Sequence, residues 1–230
     1  MLLTAAELEA LRGRLIVSAQ AYPGEPMRHP QTMAQVAASA VIGGAGAVRV
    51  QGLADIGYTR SAVEVPVIGL FKDGHEGVFI TPTIHHALAV ANAGAHIVAL
   101  DGTRRERPDG KTLEQTISAV HERSAALVMA DCGSLDDALA AAEAGADLIG
   151  TTLAGYSGER EKTEGPDLEL LGEIAGAGLD CPLIAEGRIH TPAQAKSALD
   201  AGAFAVVVGT AITHPASITG WFDAAMRGRG

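Results

Sequence analysis

The chain has 230 residues, 47% of them apolar and only 3% aromatic, so its core must be built from Ala, Val, Leu and Ile. A net charge of −10, with no basic run beyond Arg104-Arg105, argues against nucleic acid and anionic membrane surfaces as partners, because neutralising phosphates takes clustered Lys and Arg. Two cysteines, Cys132 and Cys181, are too few for a disulfide framework, and Met1-Leu2-Leu3-Thr4 lacks the basic region of a secretory leader, so both read as reduced thiols of a cytoplasmic protein.

In chain order, Thr4-Ala5-Ala6-Glu7 has the form of a capping box and predicts a short helix ahead of the first strand. Apolar runs then follow at 15–19, 48–50, 67–71, 97–100, 127–130, 148–151, 182–185 and 205–208. They are short, apolar on both faces and separated by helical patterns, as parallel strands covered by helices require. Ser134-Leu135-Asp136-Asp137 signals a further helix start, and Thr191-Pro192 joins an N-cap to a proline at the first helical position. The charge-free windows 29–48 and 201–222 are broken by glycine and proline, so neither supplies a continuous apolar span for a bilayer. The most loop-like stretch, 157–166, follows the sixth strand and reads as a solvated charged loop or as a lid.

Four related segments recur: Gly44-Ala45-Gly46-Ala47, Asn92-Ala93-Gly94-Ala95, Glu143-Ala144-Gly145-Ala146 and Asp200-Ala201-Gly202-Ala203. Aligned on Gly46, Gly94, Gly145 and Gly202, their spacings are 48, 51 and 57 residues. Each closes an Ala-rich helix and opens a β-branched run, so the glycine suits a left-handed helix-ending position. A period near 50 is two βα units, which gives eight strands in agreement with the direct count. Eight units of about 29 residues predict a single α/β domain over residues 1–230, a (β/α)8 TIM barrel. An open doubly wound sheet is the alternative, but Ser18-Ala19-Gln20 offers no Gly-rich fingerprint after the first strand.

Catalytic groups in such a barrel project from the C-terminal ends of its strands. Those positions hold Gln20, Arg49, Lys72, Asp101, Asp131, Thr152, Glu186 and Gly209-Thr210. In an acidic protein, Arg49, Lys72 and Arg188 make a local positive site for an anionic substrate. Gly187 and Arg188 after the seventh strand, and Gly209 and Thr210 after the eighth, lie where these barrels bind phosphate. Lys72 and Glu186 form an acid–base pair in which a desolvated, neutral lysine removes a proton alpha to a carbonyl. Asp101 and Asp131 accept substrate hydroxyls or orient Lys72. No histidine joins them with ligand spacing, so neither a metal nor another cofactor is expected.

These residues sit in segments that resemble the N-acylglucosamine-6-phosphate 2-epimerases nearly end to end. The matching segments include Leu15-Ile16-Val17-Ser18-Ala19-Gln20, Val48-Arg49-Val50-Gln51-Gly52, Gly69-Leu70-Phe71-Lys72 and Gly150-Thr151-Thr152-Leu153-Ala154-Gly155-Tyr156. Ala99-Leu100-Asp101-Gly102-Thr103, Met129-Ala130-Asp131-Cys132, Ala185-Glu186-Gly187-Arg188 and Val208-Gly209-Thr210-Ala211 belong to the same set. The resemblance implies interconversion of N-acetylmannosamine 6-phosphate and N-acetylglucosamine 6-phosphate, a phosphorylated amino sugar pair of sialic-acid breakdown. It implies that Lys72 removes the C2 proton of the open-chain sugar, and that Glu186 takes part in its return. It also implies that Gln20, Arg49, Asp131 and Tyr156 contact the substrate or support the site. Thr83-Ile84-His85-His86 and the basic stretch Arg104-Arg105-Glu106-Arg107 depart from the family pattern.

Other readings of the same residues stay open at this point. Lys72 as a Schiff-base nucleophile gives a lyase or aldolase on a phosphorylated sugar. A barrel that binds a phosphosugar without turnover, and a metal-dependent pentose-phosphate epimerase, are further alternatives. Trp221-Phe222 in the last helix offers either a homodimer contact or ordinary packing.

Overall fold

The computed structural model describes residues 3–228. Eight parallel strands close on themselves in sequential order, β1 Leu15–Ala19, β2 Ala47–Gln51, β3 Val67–Leu70, β4 Ile97–Asp101, β5 Leu127–Asp131, β6 Leu148–Gly150, β7 Leu183–Glu186 and β8 Ala205–Val208. β1 pairs with both β2 and β8, so the sheet has no edge and the open doubly wound alternative is excluded. Helices α2 Pro30–Ile42, α3 Leu53–Ala62, α4 Ile84–Asn92, α5 Leu113–Arg123, α6 Leu135–Glu143, α7 Leu168–Gly176 and α8 Pro192–Asp200 alternate with the strands outside. The short α1 Ala5–Glu9 precedes them with its capping box formed, Thr4 Oγ1 and Glu7 each accepting the other's backbone amide. The N-caps expected at Ser134 and Thr191 also form, accepting from the amides of Asp137 and Gln194.

Two apolar layers follow from the pleat. Inward positions such as Ile16, Ala47, Ile68, Ile97, Met129, Leu148, Ile184 and Val207 fill the barrel, and Leu3, Leu11 and Phe204 close its N-terminal end. The alternate positions, among them Val48, Val50, Val98, Val128, Ile149 and Val206, pack against the helices. Because side chains alternate with period two, the inward parity carried to the C-terminal rim reaches Gln20, Arg49, Lys72, Asp101, Asp131, Thr152, Glu186 and Gly209. One pleat thus aims all eight strand-end positions at the barrel axis.

The glycine repeat needs one correction. Gly94, Gly145 and Gly202 have φ of +103°, +93° and +105°, and their true counterpart is Gly44 at +103°, not Gly46. Gly46 stays out of the left-handed region; a Cβ there would sit 2.9 Å from Arg14 Cβ, so close packing explains it. The terminal helices α9 Thr210–Thr213 and α10 Pro215–Met226 follow β8. α10 buries no residue; Trp221 packs its ring 5.0 Å from that of His190 while remaining partly exposed, and Phe222 and Met226 are exposed. No helix among the described residues is long and apolar enough to cross a membrane. Cys132 is buried, Cys181 half-buried, and both are free thiols.

At the barrel's N-terminal end, His96 is 8% exposed and its Nδ1 accepts the Val67 amide at 3.0 Å. Burial first, and the Arg60 charge second, push its pKa down to about 4. A histidine held neutral in the fold protonates more readily once unfolded, so stability falls as pH drops through the 6.5 of a free imidazole towards 4. Thermal melts from pH 7 to pH 4 therefore show a steeper loss of Tm for the native chain than for His96→Gln, whose amide oxygen can still accept from Val67. Parallel slopes would show that His96 does not contribute.

Candidate active site

The C-terminal rim opens into a cavity of about 450 Å³, within the range of roughly 300–1,000 Å³ typical of small-molecule sites. Its wall includes Gln20, Lys72, Thr152, Tyr156 and Glu186, and on one side Gly187, Arg188, Gly209 and Thr210. The structure therefore brings the predicted acid–base pair and the predicted phosphate-site residues to one cavity.

Lys72 lies just past β3, in an antiparallel bridge to Ile80. Its Nζ has no hydrogen-bond partner among the described residues and lies 5.7 Å from the centre of the Tyr22 ring. Burial is the main force lowering its pKa; the Arg49 charge adds to it, and Glu186 and Asp131 oppose it. Glu186 ends β7 and shares the buried guanidinium of Arg49, Nη1 to Oε2 at 2.8 Å. Burial, with the Asp131 charge, raises the Glu186 carboxyl to about 7 against the pull of Arg49. Desolvation drives both shifts, and it draws an amine and a carboxyl towards neutrality together.

Beneath the cavity floor, Arg49 is 1% exposed and grips Asp131 with both nitrogens, Nη1–Oδ1 at 3.0 Å and Nη2–Oδ2 at 2.6 Å. Burial works against its charge, but Asp131 and Glu186 outweigh it and hold the guanidinium above its ordinary value. Thr152 donates to Asp131 Oδ1 at 2.6 Å, which ties β6 into the same network. Arg49 and Asp131 are absent from the cavity wall. Arg49 pairs with both Asp131 and Glu186, so it links β5 to β7 behind the wall.

Asp101 is a correction. Although its position has inward parity, its carboxylate is buried and accepts from Thr103 N at 2.9 Å, Thr103 Oγ1 at 2.6 Å and Arg105 Nη2 at 2.7 Å. Those three donors hold the following loop, and Asp101 does not reach the cavity wall. Arg188 is also committed elsewhere: its guanidinium donates to Ala154 O, Gly165 O and Thr163 Oγ1 and lies 5.4 Å from the Tyr156 ring. It lines the cavity but spends its fork on the loop after β6 rather than leaving it free for a phosphate. That loop, over 157–166, is anchored further by Glu159 to Arg104 at 2.8 Å and by Arg160 to Asp167 at 2.9 Å. Gly209 approaches so closely that a Cβ would lie 3.3 Å from Ser18 Cβ, and Thr210 opens α9. The Ile212 and Thr213 amides already donate to Gly209 O, whereas those of Thr210 and Ala211 have no backbone acceptor among the described residues and remain available as donors.

Sequence reasoning missed Tyr22 beside the amine, and it missed the support under the segment after β3. Arg107 is 4% exposed and donates to the carbonyls of Pro82 and Asp101. The basic stretch that departs from the family pattern is thus consumed by loop anchoring. Nothing in a run of arginines distinguishes that from a surface patch. Among the described residues no three His, Cys, Asp or Glu side chains converge tightly enough to hold a metal ion.

Residues 33–228 match the family model described as "Putative N-acetylmannosamine-6-phosphate epimerase". The chain belongs to this family. It is 61% identical over 224 residues to a Cutibacterium acnes protein described as a "Putative N-acetylmannosamine-6-phosphate 2-epimerase", covering 96% of each chain. A Corynebacterium glutamicum relative with that description is 48% identical over 215 residues, 92% of each chain. Among solved structures, the N-acetylmannosamine-6-phosphate 2-epimerase from Clostridium perfringens superposes with a TM-score of 0.90 at 37% identity, covering 95% of both chains.

Proposed function

We propose that this chain epimerises N-acetylmannosamine 6-phosphate and N-acetylglucosamine 6-phosphate at C2, a step of amino-sugar breakdown. The observation that carries the reading is a desolvated lysine without a hydrogen-bond partner among the described residues and a carboxyl raised to about 7, both on the wall of one cavity. The neutral Lys72 amine takes the C2 hydrogen of the open-chain sugar as a proton. The electron pair passes into the carbonyl, and an enolate forms. The protonated Glu186 then delivers its proton to the other face of C2, giving the opposite configuration. Lys72 is left charged and Glu186 ionised, and proton exchange with water resets the pair. Gln20 and Thr152 contact the sugar from the wall, Tyr156 packs on it, and the amides at Gly187, Gly209 and Thr210 receive the phosphate. Arg49 holds Glu186 in place and adds positive charge beneath the enolate.

Proton NMR of N-acetylmannosamine 6-phosphate with enzyme in deuterated water tests this: deuterium enters C2 as both epimers accumulate. Binding without deuterium at C2 would overturn the reading, and loss of activity in chelator would point to a metal-dependent epimerase. The pH profile follows from the two groups. The productive pair holds one proton, so kcat/KM rises to a plateau above about pH 7 and falls before the ordinary lysine value of about 10.4 is reached. The substrate phosphate, with its second ionisation near 6, is corrected for separately. In Glu186→Gln the residual exchange follows Lys72 alone and shows a single rising limb.

A further inference from the structure

The barrel's own hydrogen-bond ladder does not reach Lys72. Pairing of β3 ends at Leu70 opposite Gln51 on one side and at Gly69 opposite Val98 on the other. Beyond it, residues 71–81 fold back as a short hairpin. Its bonds are the Lys72–Ile80 bridge, the Asp73 amide on Phe79 O at 3.0 Å and the Thr81 amide on Phe71 O at 2.6 Å. Residues 73–77 at the tip are exposed. A hairpin arm fixed only to itself would let the amine wander, so whatever docks the returning arm on the barrel sets where Lys72 points.

The Phe71 ring also stacks on His86 of α4 at 5.0 Å, but the backbone of Phe71, next to Lys72, is tied to β4 through one hydroxyl. Thr81 is fully buried; its Oγ1 accepts the Phe71 amide at 3.1 Å and donates to Ala99 O on β4 at 2.6 Å. Thr81 therefore engages both backbone polar groups of the residue next to Lys72 and ties them to the neighbouring strand. Its backbone is held at φ +46°, a conformation costly for a β-branched residue and further disfavoured before a proline. A glycine would relieve that strain, but it would bring no hydroxyl. The Asp101 amide, donating to Ile80 O at 2.9 Å, is the only other direct tie of this arm to β4 among the described residues.

We infer that Thr81 is a positioning residue for the catalytic amine: its hydroxyl welds the Lys72 hairpin to β4 and holds Nζ towards the cavity. The inference rests on the reading of Lys72 as the base. Thr81→Val keeps the branched shape and the backbone strain and removes only the hydroxyl. Its kcat falls by about 100-fold, the order of loss that misplacement by 1 Å produces, while KM stays within about twofold. The alkaline limb of its pH profile moves towards an ordinary lysine, because a displaced amine is better solvated. Thr81→Ser restores most of the rate. Thr81→Gly, with the strain relieved, still shows the loss, and it decides the matter should the valine variant not fold by circular dichroism. Wild-type kcat and pH profile in the folded valine or glycine variant would overturn the inference, as would a serine variant no better than valine. Wild-type exchange in Lys72→Ala would instead defeat the reading of the base, so the two failures are distinct.

Discussion

Replacing Lys72 with alanine lowers deuterium incorporation at C2 by about 10²–10⁴-fold, the span a positioned general base contributes. The size of the effect follows from the absence of a substitute. Nζ has no hydrogen-bond partner among the described residues, and the ionisable groups that tune it are Arg49, Glu186 and Asp131. Arg49 never gives up its proton, and Asp131 is held by Arg49 and Thr152. Lys72→Arg sharpens the point, because a guanidinium keeps the charge and loses the basicity. A lysine that merely clamped the phosphate would tolerate arginine; one that takes a proton would not, and Lys72→Arg is expected to be as inactive as alanine. Borohydride added during turnover separates the remaining chemistry: a reduced adduct on Lys72 would make it a nucleophile, whereas an unmodified chain still catalysing exchange leaves it a base. An alanine variant with wild-type exchange would remove Lys72 from the mechanism altogether.

What could be read from the sequence was whatever the pleat and the helix endings impose locally. Strand count, barrel closure and the placing of Gln20, Arg49, Lys72, Asp131, Thr152 and Glu186 at strand ends all follow from the short apolar runs and the glycine repeat, and the pleat then supplies their inward phase. Asp101 has the same phase, and phase alone could not show that Thr103 and Arg105, two and four residues on, would claim its carboxylate. Gly44 and Gly46 both stand in a Gly-Ala-Gly-Ala segment; only backbone geometry tells the left-handed residue from the tightly packed one. Nothing in the sequence marked the hairpin over 71–81, which has a polar tip and a single bridge. It is held in part by Thr81 reaching across to β4, a contact between residues 18 apart in sequence. Likewise, Arg188 looked free for phosphate because its acceptors are mostly backbone carbonyls, which carry no residue signal.

Arg49→Leu is expected to lose both stability and activity, and a second substitution separates the two. The guanidinium is wholly buried between Asp131, at 2.6 Å, and Glu186, at 2.8 Å. Removing it strands the Asp131 carboxylate beside the Glu186 carboxyl out of water, a change that costs about 3–5 kcal/mol when one partner of a buried pair is lost. For a chain of this size that lowers Tm by about 10 °C. Without the cation Glu186 rises further and simply stays protonated, but Lys72 also loses the Arg49 charge that helps lower it, so the amine holds its proton to higher pH, the rising limb moves up and exchange at neutral pH falls. Adding Asp131→Leu removes the stranded charge; burying apolar side chains in its place is often neutral or better, so the double variant recovers most of the lost stability. It does not recover catalysis, because Glu186 still lacks the group that holds and tunes it. Urea unfolding and deuterium exchange on the single and double variants check both halves. A single variant as stable as the parent would show that the buried network carries no net charge imbalance. A double variant with parental activity would show that Arg49 and Asp131 are bystanders, leaving Lys72 and Glu186 to be tuned by desolvation alone.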